Sequence, residues 1–420
     1  MVKTFYIFLL LSMIISCTSS KKTIQKKTKT VLAQSLFENQ FTGFLVLNPY
    51  TQDTIYRKNH QKYFIPASNT KIFTLYTALE LLGDTIPGLK YIVKNDTLFI
   101  EGTGDPTFLH TYFDNRKTLD FLNGFENVSF CATNFNESKF GPGWAWEDYT
   151  YYYQPERGSL PMYGNVATIF KNESLTVRPT VFKENVVELR YTKAREENKN
   201  IFYYPPTSND TIEIPFKTDT ILTKKMLKNV LGKKINLISS MPKGKKSTFY
   251  STPTDTVLRR MMHESDNFLA EQLLVLSSST LSDTLSISKV RDFMLQNALS
   301  DLKQVPRWVD GSGLSRYNLF TPESMVQVLG KLLEETPREE LFKYFNTYNQ
   351  LVKSEQANNS PSYIHAKSGG MGNTYNLSGY LVTKSGKTLV FSFMNNHYRQ
   401  PTLEIKKHMQ YIFELLRDRY

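Results

Sequence analysis

The sequence of 420 residues predicts an α+β fold, in which helices flank an antiparallel sheet and a β-rich insertion interrupts the chain. Apolar runs joined by polar turns predict a β-hairpin near each end of the chain. The last segment, "TLEIKKHMQYIFELLRDRY", has the periodicity of an amphipathic helix. These strands and helices therefore form one layered domain, and the length of the chain leaves room for two or three domains.

The first hairpin and a helix follow one another closely. From residue 42, "FTGFLVLNPYTQDTIYRKN" has two strand-like runs around an Asn-Pro-Tyr-Thr turn. Residues 64–83, "FIPASNTKIFTLYTALELLG", predict a helix because their apolar side chains recur at helical spacing. Gly83 is the expected end of that helix.

The middle of the chain has a different character. Residues 85–245 contain short β-like runs, such as "YIVKNDTLFIEG" and "NDTIEIPF", separated by polar turns. Helical periodicity returns only at "DTVLRRMMHESDNFLAEQLLVLSSS". The second hairpin is "NLSGYLVTKSGKTLVFSFMNNH". We therefore expect one domain from residues 35–84 and 246–420, and an accessory β-rich insertion at residues 85–245.

The N terminus predicts export. Residues 1–17 begin with one lysine, run through an apolar stretch too short to span a bilayer, and end in "IISC". This ending resembles a bacterial lipobox, in which Cys17 is acylated and becomes the mature N terminus. A plain signal peptide that happens to contain a cysteine is the alternative. If Cys17 is acylated, the second cysteine, Cys131, has no partner in the chain and is expected to be a small buried hydrophobe.

The net charge of +12 is concentrated near the N terminus, since the first 30 residues hold six lysines and no acid. Residues 18–34 therefore predict a flexible basic tether beside an anionic surface. No basic helix or aromatic-interleaved patch accompanies the charge, so nucleic acid is not an expected partner.

A serine and a lysine share one face at the start of the predicted helix. Ser68 and Lys71 are three residues apart, so the amine of the lysine can reach the hydroxyl of the serine. The helix N terminus supplies unpaired N–H groups that stabilise an oxyanion. Ser-x-x-Lys alone is weak evidence, because Ser19 and Ser240 begin chance matches. A capping serine beside a solvated lysine is the alternative.

Two further motifs follow in order. Ser265, Asp266 and Asn267 precede a helical run, and Lys367 and Ser368 begin "KSGGMGN" at the start of an apparent strand. A second cation lowers the pKa of a lysine and so allows it to act as a base. A second Lys-Ser-Gly sequence begins at residue 384, but it fills the turn of the predicted hairpin and is expected to face solvent.

Ser-x-x-Lys, Ser-Asp-Asn and Lys-Ser-Gly in this order resemble the signatures of penicillin-recognising serine enzymes. The distance of 197 residues from Ser68 to Ser265 leaves room for the insertion. With "GTGDPTF", "GPGWAWEDYTYYY" and "DGSGLSRYN", the chain resembles the penicillin-binding protein 4 type of D-alanyl-D-alanine carboxypeptidase/endopeptidase, peptidase family S13. The resemblance covers residues 35–420 and implies a β-lactamase/transpeptidase-like domain. Two departures are Lys-Ser-Gly in place of Lys-Thr-Gly, and a short insertion.

The resemblance implies a role for each motif. Ser68 would attack the carbonyl between two D-alanines and form an acyl-enzyme, while Lys71 takes its proton. Ser265, Asn267 and Lys367 would relay protons and hold the substrate. The substrate-binding side is implied to use the Lys367 ammonium and the Ser368 hydroxyl for the terminal carboxylate, and the N–H groups of Ser68 and Gly370 for the oxyanion.

The remaining candidate site residues each have two possible roles. Asp148, chosen over Glu147, would contact the amino group of the stem-peptide side chain, with Trp144 and Tyr152 as pocket walls. Aromatic packing beside a solvated acid is the alternative. In "DGSGLSRYN" the glycines and Asp310 are expected to form a tight turn, and Arg316 is either a ligand contact or part of an ion pair.

The sequence thus predicts an exported serine D-Ala-D-Ala carboxypeptidase or endopeptidase, acting on peptidoglycan stem peptides and inhibited covalently by β-lactams. A lipid anchor would hold it on the periplasmic side of a bacterial membrane, preferentially the outer membrane. No metal or cofactor is expected, because the histidines and cysteines form no ligand pattern. The alternatives are a β-lactamase-like hydrolase and a catalytically silent wall-binding lipoprotein.

Overall fold

The computed structural model describes residues 20–113, 116–352 and 361–420. Contacts within the chain divide it into two compact units. The first unit comprises Met1–Ile72, Leu299–Trp308 and Arg316–Tyr420, and the second comprises Phe73–Ala298 and Val309–Ser315. Within the described ranges, no helix combines the length and the apolar character needed to cross a membrane.

The secondary structure follows the predicted α+β class. The strands are β1 Phe41–Asn48, β2 Asp53–Lys58, β3 Thr85–Lys94, β4 Thr97–Gly102, β5 Asn127–Cys131, β6 Val166–Lys171, β7 Leu175–Arg178, β8 Val186–Glu188, β9 Phe202–Tyr204, β10 Ile212–Pro215, β11 Ile235–Ile238, β12 Ser247–Pro253, β13 Asn346–Tyr348, β14 Ile364–Met371, β15 Thr374–Val382 and β16 Thr388–Asn396. The α-helices are α1 20–31, α2 Lys71–Leu81, α3 Arg116–Asn123, α4 Thr220–Leu231, α5 Thr254–His263, α6 Asn267–Leu281, α7 Ile287–Gln296, α8 Pro322–Glu335, α9 Arg338–Phe342 and α10 Thr402–Arg419.

The first unit is built on a six-stranded antiparallel sheet in the order β13-β14-β15-β16-β1-β2. One face of the sheet packs with α1 and α10 in a single apolar core, and α8 packs on β1, β15 and β16. Nearly every residue of β15 and β16 is buried, which explains their continuous apolar runs.

Both predicted hairpins are confirmed, as β1-β2 and β15-β16. The predicted helix after Ser68 is confirmed as α2. The Lys-Ser-Gly sequence at Lys367 lies in a strand of its own, β14, which turns back into β15 rather than continuing as one strand. Its second copy is exposed in the turn after β15, as expected.

The predicted tether at residues 18–34 differs from the structure, because residues 20–31 form helix α1. Ile24 and Val31 are buried in the core of the first unit. The apolar stripe of α1 has few side chains and lies among lysines, so the sequence pattern gives little indication of a helix. Packing against α10 stabilises α1 more than the helix propensity of its residues does. The predicted signal peptide at residues 1–17, including Cys17, lies outside the described residues.

The second unit has a five-stranded mixed sheet in the order β11-β5-β4-β3-β12, a three-stranded sheet β10-β6-β7 and the pair β8-β9. Residues 85–245 are rich in strands, as expected, but they also contain the helices α3 and α4. The insertion boundaries at residues 85 and 245 stay a prediction, since the contacts divide the chain elsewhere. Cys131 is a buried free thiol.

Candidate active site

Ser68 lies where the chain enters helix α2. It belongs to a 3-10 turn, Ala67–Thr70, that leads directly into the helix, and its side chain is half-buried. The preceding residue, Ala67, has a φ of +46°, in the left-handed region that a residue with a Cβ rarely adopts. Such a conformation costs on the order of 1–3 kcal/mol and persists only where surrounding contacts impose it.

Two asparagines of the sheet hold the segment before Ser68. Asn376 on β15 donates from Nδ2 to the carbonyl oxygens of Ile65 and Pro66, at 2.9 and 2.8 Å. Asn396 on β16 accepts from the N–H of Ile65 at 2.7 Å. Asn376 and Asn396 are both buried. These contacts fix the strained turn, and neither asparagine belongs to a motif predicted from the sequence.

Lys71 and Lys367 are two buried amines near the serine. Lys71 is fully buried, and its Nζ lies 3.2 Å from Ser68 Oγ. Lys367 on β14 is 1% exposed, and its Nζ donates to the carbonyl oxygen of Ser368 at 2.8 Å. Burial, followed by the charge of Lys71, lowers the pKa of Lys367 well below its usual value. The structure thus brings Ser68, Lys71 and Lys367 together.

Strand β14 lies directly against the serine turn. Asn69 Nδ2 donates to the carbonyl oxygen of Lys367 at 2.7 Å, and Asn69 Oδ1 accepts from the Ser378 hydroxyl at 2.7 Å. A Cβ on Gly369 would lie 2.5 Å from the carbonyl oxygen of Pro66 and 3.0 Å from the Ser68 nitrogen. Glycine is therefore required at position 369 for so close an approach.

Ser368 and Gly370 follow along the same strand. Strand β13 pairs with β14 only as far as Ala366. In the described part of the chain, residues 368–371 consequently pair with no strand on that edge. The Ser368 hydroxyl is half-buried and hydrogen-bonds the side chain of Tyr348. Gly370 is exposed, and a Cβ there would meet nothing closer than 4.0 Å.

Ser265 and Asn267 belong to the second unit. Ser265 is half-buried and has a φ of +54°. Asp266 caps helix α6, since its Oδ1 accepts from the N–H of Leu269 at 3.0 Å. Asn267 Nδ2 donates to the carbonyl oxygen of Tyr153 at 3.2 Å. The Ser-Asp-Asn motif therefore begins a helix, as expected, and its role stays a prediction.

Asp148 and Glu147 differ in their surroundings. The Asp148 carboxylate hydrogen-bonds the hydroxyl of Tyr153. Burial, with the negative charge of Asp148 as a smaller cause, raises the pKa of Tyr153 to about 12. Glu147 is exposed, and its carboxylate makes no hydrogen bond or ion pair with any residue of the described ranges. The predicted preference for Asp148 over Glu147 as a ligand contact stays open.

Trp144 holds the turn in "DGSGLSR". Its indole Nε1 donates to Asp310 Oδ2 at 2.9 Å. The two Asp310 oxygens also accept from the N–H groups of Gly313 and Ser315, at 2.9 and 2.7 Å, so the predicted tight turn is confirmed. Trp144 as a pocket wall stays a prediction. Arg316 is exposed and forms no ion pair with a described residue, which leaves its predicted ligand role open.

A stability measurement tests the burial of Lys367. Because its folded-state pKa is lowered, the unfolded chain binds more protons between that pKa and about 10.4. The free energy of unfolding therefore rises with pH across this window. We expect Lys367→Met to unfold at a higher urea concentration than the wild type at pH 7. This advantage should shrink at pH 9.5, and an advantage that stays constant or grows would contradict the lowered pKa.

In the described residues, no cluster of histidine, cysteine or acidic side chains suits a metal ion. The polar side chains around Ser68 are instead two lysines and several amides and hydroxyls. This chemistry suits activation of a hydroxyl group and stabilisation of negative charge.

Comparisons with known proteins agree with this description. The model of the D-Ala-D-Ala carboxypeptidase 3 (S13) family matches residues 24–202 and 237–416. D-alanyl-D-alanine carboxypeptidase DacB of Haemophilus influenzae is 22% identical, over 97% of this chain and 96% of its own length. The crystal structure of penicillin-binding protein 4 (dacB) from the same organism has a TM-score of 0.70 at 20% identity, covering 93% of this chain and 98% of that one. The chain belongs to the D-Ala-D-Ala carboxypeptidase 3 (S13) family.

Proposed function

We propose that the chain cleaves the terminal D-alanyl-D-alanine bond of peptidoglycan stem peptides, or the cross-links between them, through an acyl-enzyme on Ser68. One observation carries the proposal: in a member of this family, the buried Lys71 amine lies 3.2 Å from the Ser68 hydroxyl at the start of a helix. A serine becomes a nucleophile only when a base within hydrogen-bond reach accepts its proton.

Acylation begins with a proton transfer. Neutral Lys71 takes the Ser68 proton as Oγ attacks the carbonyl carbon of the penultimate D-alanine. Burial and the charge of Lys71 lower the pKa of Lys367, so the two lysines hold a single positive charge between them. The terminal carboxylate of a bound substrate draws that charge to Lys367, which leaves the Lys71 amine neutral. The resulting oxyanion is stabilised by the N–H groups of Ser68 and Gly370. Collapse breaks the C–N bond, and the leaving D-alanine amine takes up the proton.

Other predicted residues complete the substrate contacts. The Ser368 hydroxyl and the Lys367 ammonium bind the terminal carboxylate, because a cation and a hydroxyl satisfy such a group. Arg316, exposed and without an ion-pair partner in the described ranges, is available for the same carboxylate. The Ser265 hydroxyl relays the proton to the leaving amine, and the Asn267 carboxamide binds the substrate amide. Water then attacks the acyl-enzyme and releases the shortened peptide.

β-Lactams are proposed as covalent inhibitors. The ring amide stands in for the D-alanyl-D-alanine bond, and the leaving group stays attached to the acyl-enzyme, so water deacylates it slowly. A crystal structure of penicillin-binding protein 4 (dacB) from Haemophilus influenzae, with a TM-score of 0.64, 19% identity and coverage of 93% of this chain and 98% of that one, contains a β-lactam. A β-lactamase-like hydrolase would instead turn penicillin over rapidly.

The chain is further proposed to be exported and held on the periplasmic side of a bacterial membrane, preferentially the outer membrane, by an acylated Cys17. The support is the "IISC" sequence after a short apolar run. Mass spectrometry of the mature N terminus tests this proposal. An N-terminal peptide that begins with a diacylglyceryl-modified Cys17 is expected, and an unmodified peptide cut elsewhere would contradict it.

Labelling with a fluorescent penicillin tests the enzymatic proposal. The purified protein is expected to gain one stable adduct, which maps to the peptide that contains Ser68. Release of D-alanine from a stem pentapeptide should be blocked in proportion to labelling. If no adduct forms and no D-alanine is released, a wall-binding protein without catalysis replaces the proposal, and rapid loss of penicillin from solution favours the β-lactamase.

A further inference from the structure

Helix α1 is held on the first unit along one face. Ile24 and Val31 lie in the same apolar core as helix α10. Gln25, which flanks the buried face of the helix, donates from Nε2 to the carbonyl oxygen of Ile55 at 3.0 Å. Residues 20–31 are therefore a fixed part of this unit, with a defined orientation.

The opposite face of the helix carries three lysines in a row. Lys22, Lys26 and Lys29 recur after four and three residues, so they share one face and form a ridge roughly 10 Å long. Each of these lysines lies two residues before a buried residue of the helix, which is slightly more than half a helical turn. The three lysines therefore lie opposite the buried face, and all three are exposed.

No acid neutralises the ridge. Residues 18–34 contain no aspartate or glutamate, and none of the three lysines forms an ion pair with a described residue. Asp53, an acid beside the helix, pairs with Lys21 on the flank of the helix. The ridge is therefore a stripe of uncompensated positive charge.

We propose that the ridge formed by Lys22, Lys26 and Lys29 binds anionic phospholipid headgroups and so orients the first unit on the membrane that holds the lipid anchor. The inference rests on the anchoring part of the proposed function. Cys17 is five residues before Lys22, a span of at most about 18 Å of chain, so an acylated Cys17 keeps the ridge at the bilayer. A bilayer surface matches a linear ridge of positive charge.

The chain offers a matched control on another helix. Lys224, Lys225 and Lys228 of α4 lie in the second unit, also without an ion-pair partner among the described residues. Changing all three to glutamine removes the same charge as the triple variant of the ridge, K22Q/K26Q/K29Q. Both variants are made in a chain that starts at residue 18, which retains every described residue and has no Cys17 to be acylated.

Binding is measured by flotation with vesicles of phosphatidylethanolamine and phosphatidylglycerol, and with vesicles of phosphatidylcholine. Each lysine near an anionic surface contributes about fivefold in affinity, so the ridge variant should bind the anionic vesicles about a hundredfold more weakly. The α4 variant should stay within about threefold of the unchanged chain. High salt should release the unchanged chain, because the attraction is screened.

The proposal would be overturned if the ridge variant bound the anionic vesicles as well as the unchanged chain does, or if the α4 variant lost as much vesicle binding as the ridge variant. Binding to purified insoluble peptidoglycan is measured as well. A ridge variant that lost binding to peptidoglycan but not to vesicles would also overturn the proposal. Penicillin labelling of Ser68 is measured on the same three proteins and should be equal in all of them. Failure of labelling with normal vesicle binding would contradict the enzymatic proposal alone. Equal unfolding temperatures of the three proteins ensure that lost binding reflects lost charge.

Discussion

Replacement of Lys71 by alanine is expected to lower kcat/KM for a D-alanyl-D-alanine peptide by about 10⁴-fold. The Lys71 amine is fully buried and lies 3.2 Å from the Ser68 hydroxyl, so no water-exposed base replaces it. Without this base the serine keeps its proton in the attacking step. The rate of acylation by fluorescent penicillin should fall in parallel, because the same step forms both acyl-enzymes.

Three variants control this experiment. Lys71→Arg keeps a long side chain but stays protonated near neutral pH and is not a base, so it should be as inactive as Lys71→Ala. Ser68→Ala sets the floor of the assay. Lys384→Ala, in the exposed second Lys-Ser-Gly sequence, should leave the activity unchanged. The role of Lys71 as the base would be ruled out if Lys71→Ala stayed within about tenfold of the wild type.

The sequence predicts those parts of the site that depend on local pattern. The Ser68 and Lys71 pair stands at a helix start that periodicity alone indicates. Lys367 was predicted at the start of a strand, and it lies in β14, which pairs with the predicted strand instead of continuing into it. The asparagines 376 and 396 were missed because their partners lie more than 300 residues away. A signal was present, since polar amides inside the apolar strands β15 and β16 break the local pattern and call for buried partners.

Among the helices that were not predicted, one has local signals in the sequence, and another depends on distant residues for its stability. Helix α4 carries local signals, an aspartate cap at Asp219 and a left-handed Gly232 at its end, which indicate a helix within a β-rich segment. Helix α1 has only a narrow apolar stripe, and its stability comes from α10, at the other end of the chain. Such long-range packing cannot be derived from periodicity.

A buried ion pair in the second unit supports the turn that contains Asp310. Arg157 Nη2 lies 3.0 Å from Glu271 Oε2, and both side chains are almost fully buried. Glu271 Oε1 accepts from the N–H of Ser312 at 2.7 Å, in the same turn. The guanidinium of Arg157 also lies 4.9 Å from the centre of the Trp144 ring. The Glu271 carboxylate therefore connects helix α6 to the "DGSG" sequence, and Arg157 compensates its negative charge.

Arg157→Met is expected to lower the free energy of unfolding by about 3–5 kcal/mol, because it leaves the Glu271 charge buried without a cation. The double variant Arg157→Met/Glu271→Gln should recover most of this loss, since a neutral amide of the same shape still accepts the Ser312 N–H. Urea unfolding of the two variants and the wild type measures both values. A double variant as unstable as Arg157→Met would show that packing of the arginine, not charge, is responsible.

The pH dependence of the free energy of unfolding also distinguishes loss of the arginine's charge from loss of its packing. Burial already raises the pKa of Glu271, with Arg157 as the main opposing influence. A carboxyl with a raised folded-state pKa keeps its proton where the unfolded chain has lost it, so stability falls as pH rises through that window. Removing Arg157 raises the pKa of Glu271 further and widens the window. The stability deficit of Arg157→Met should therefore be smaller at pH 5 than at pH 7, whereas a deficit caused by lost packing would be the same at both.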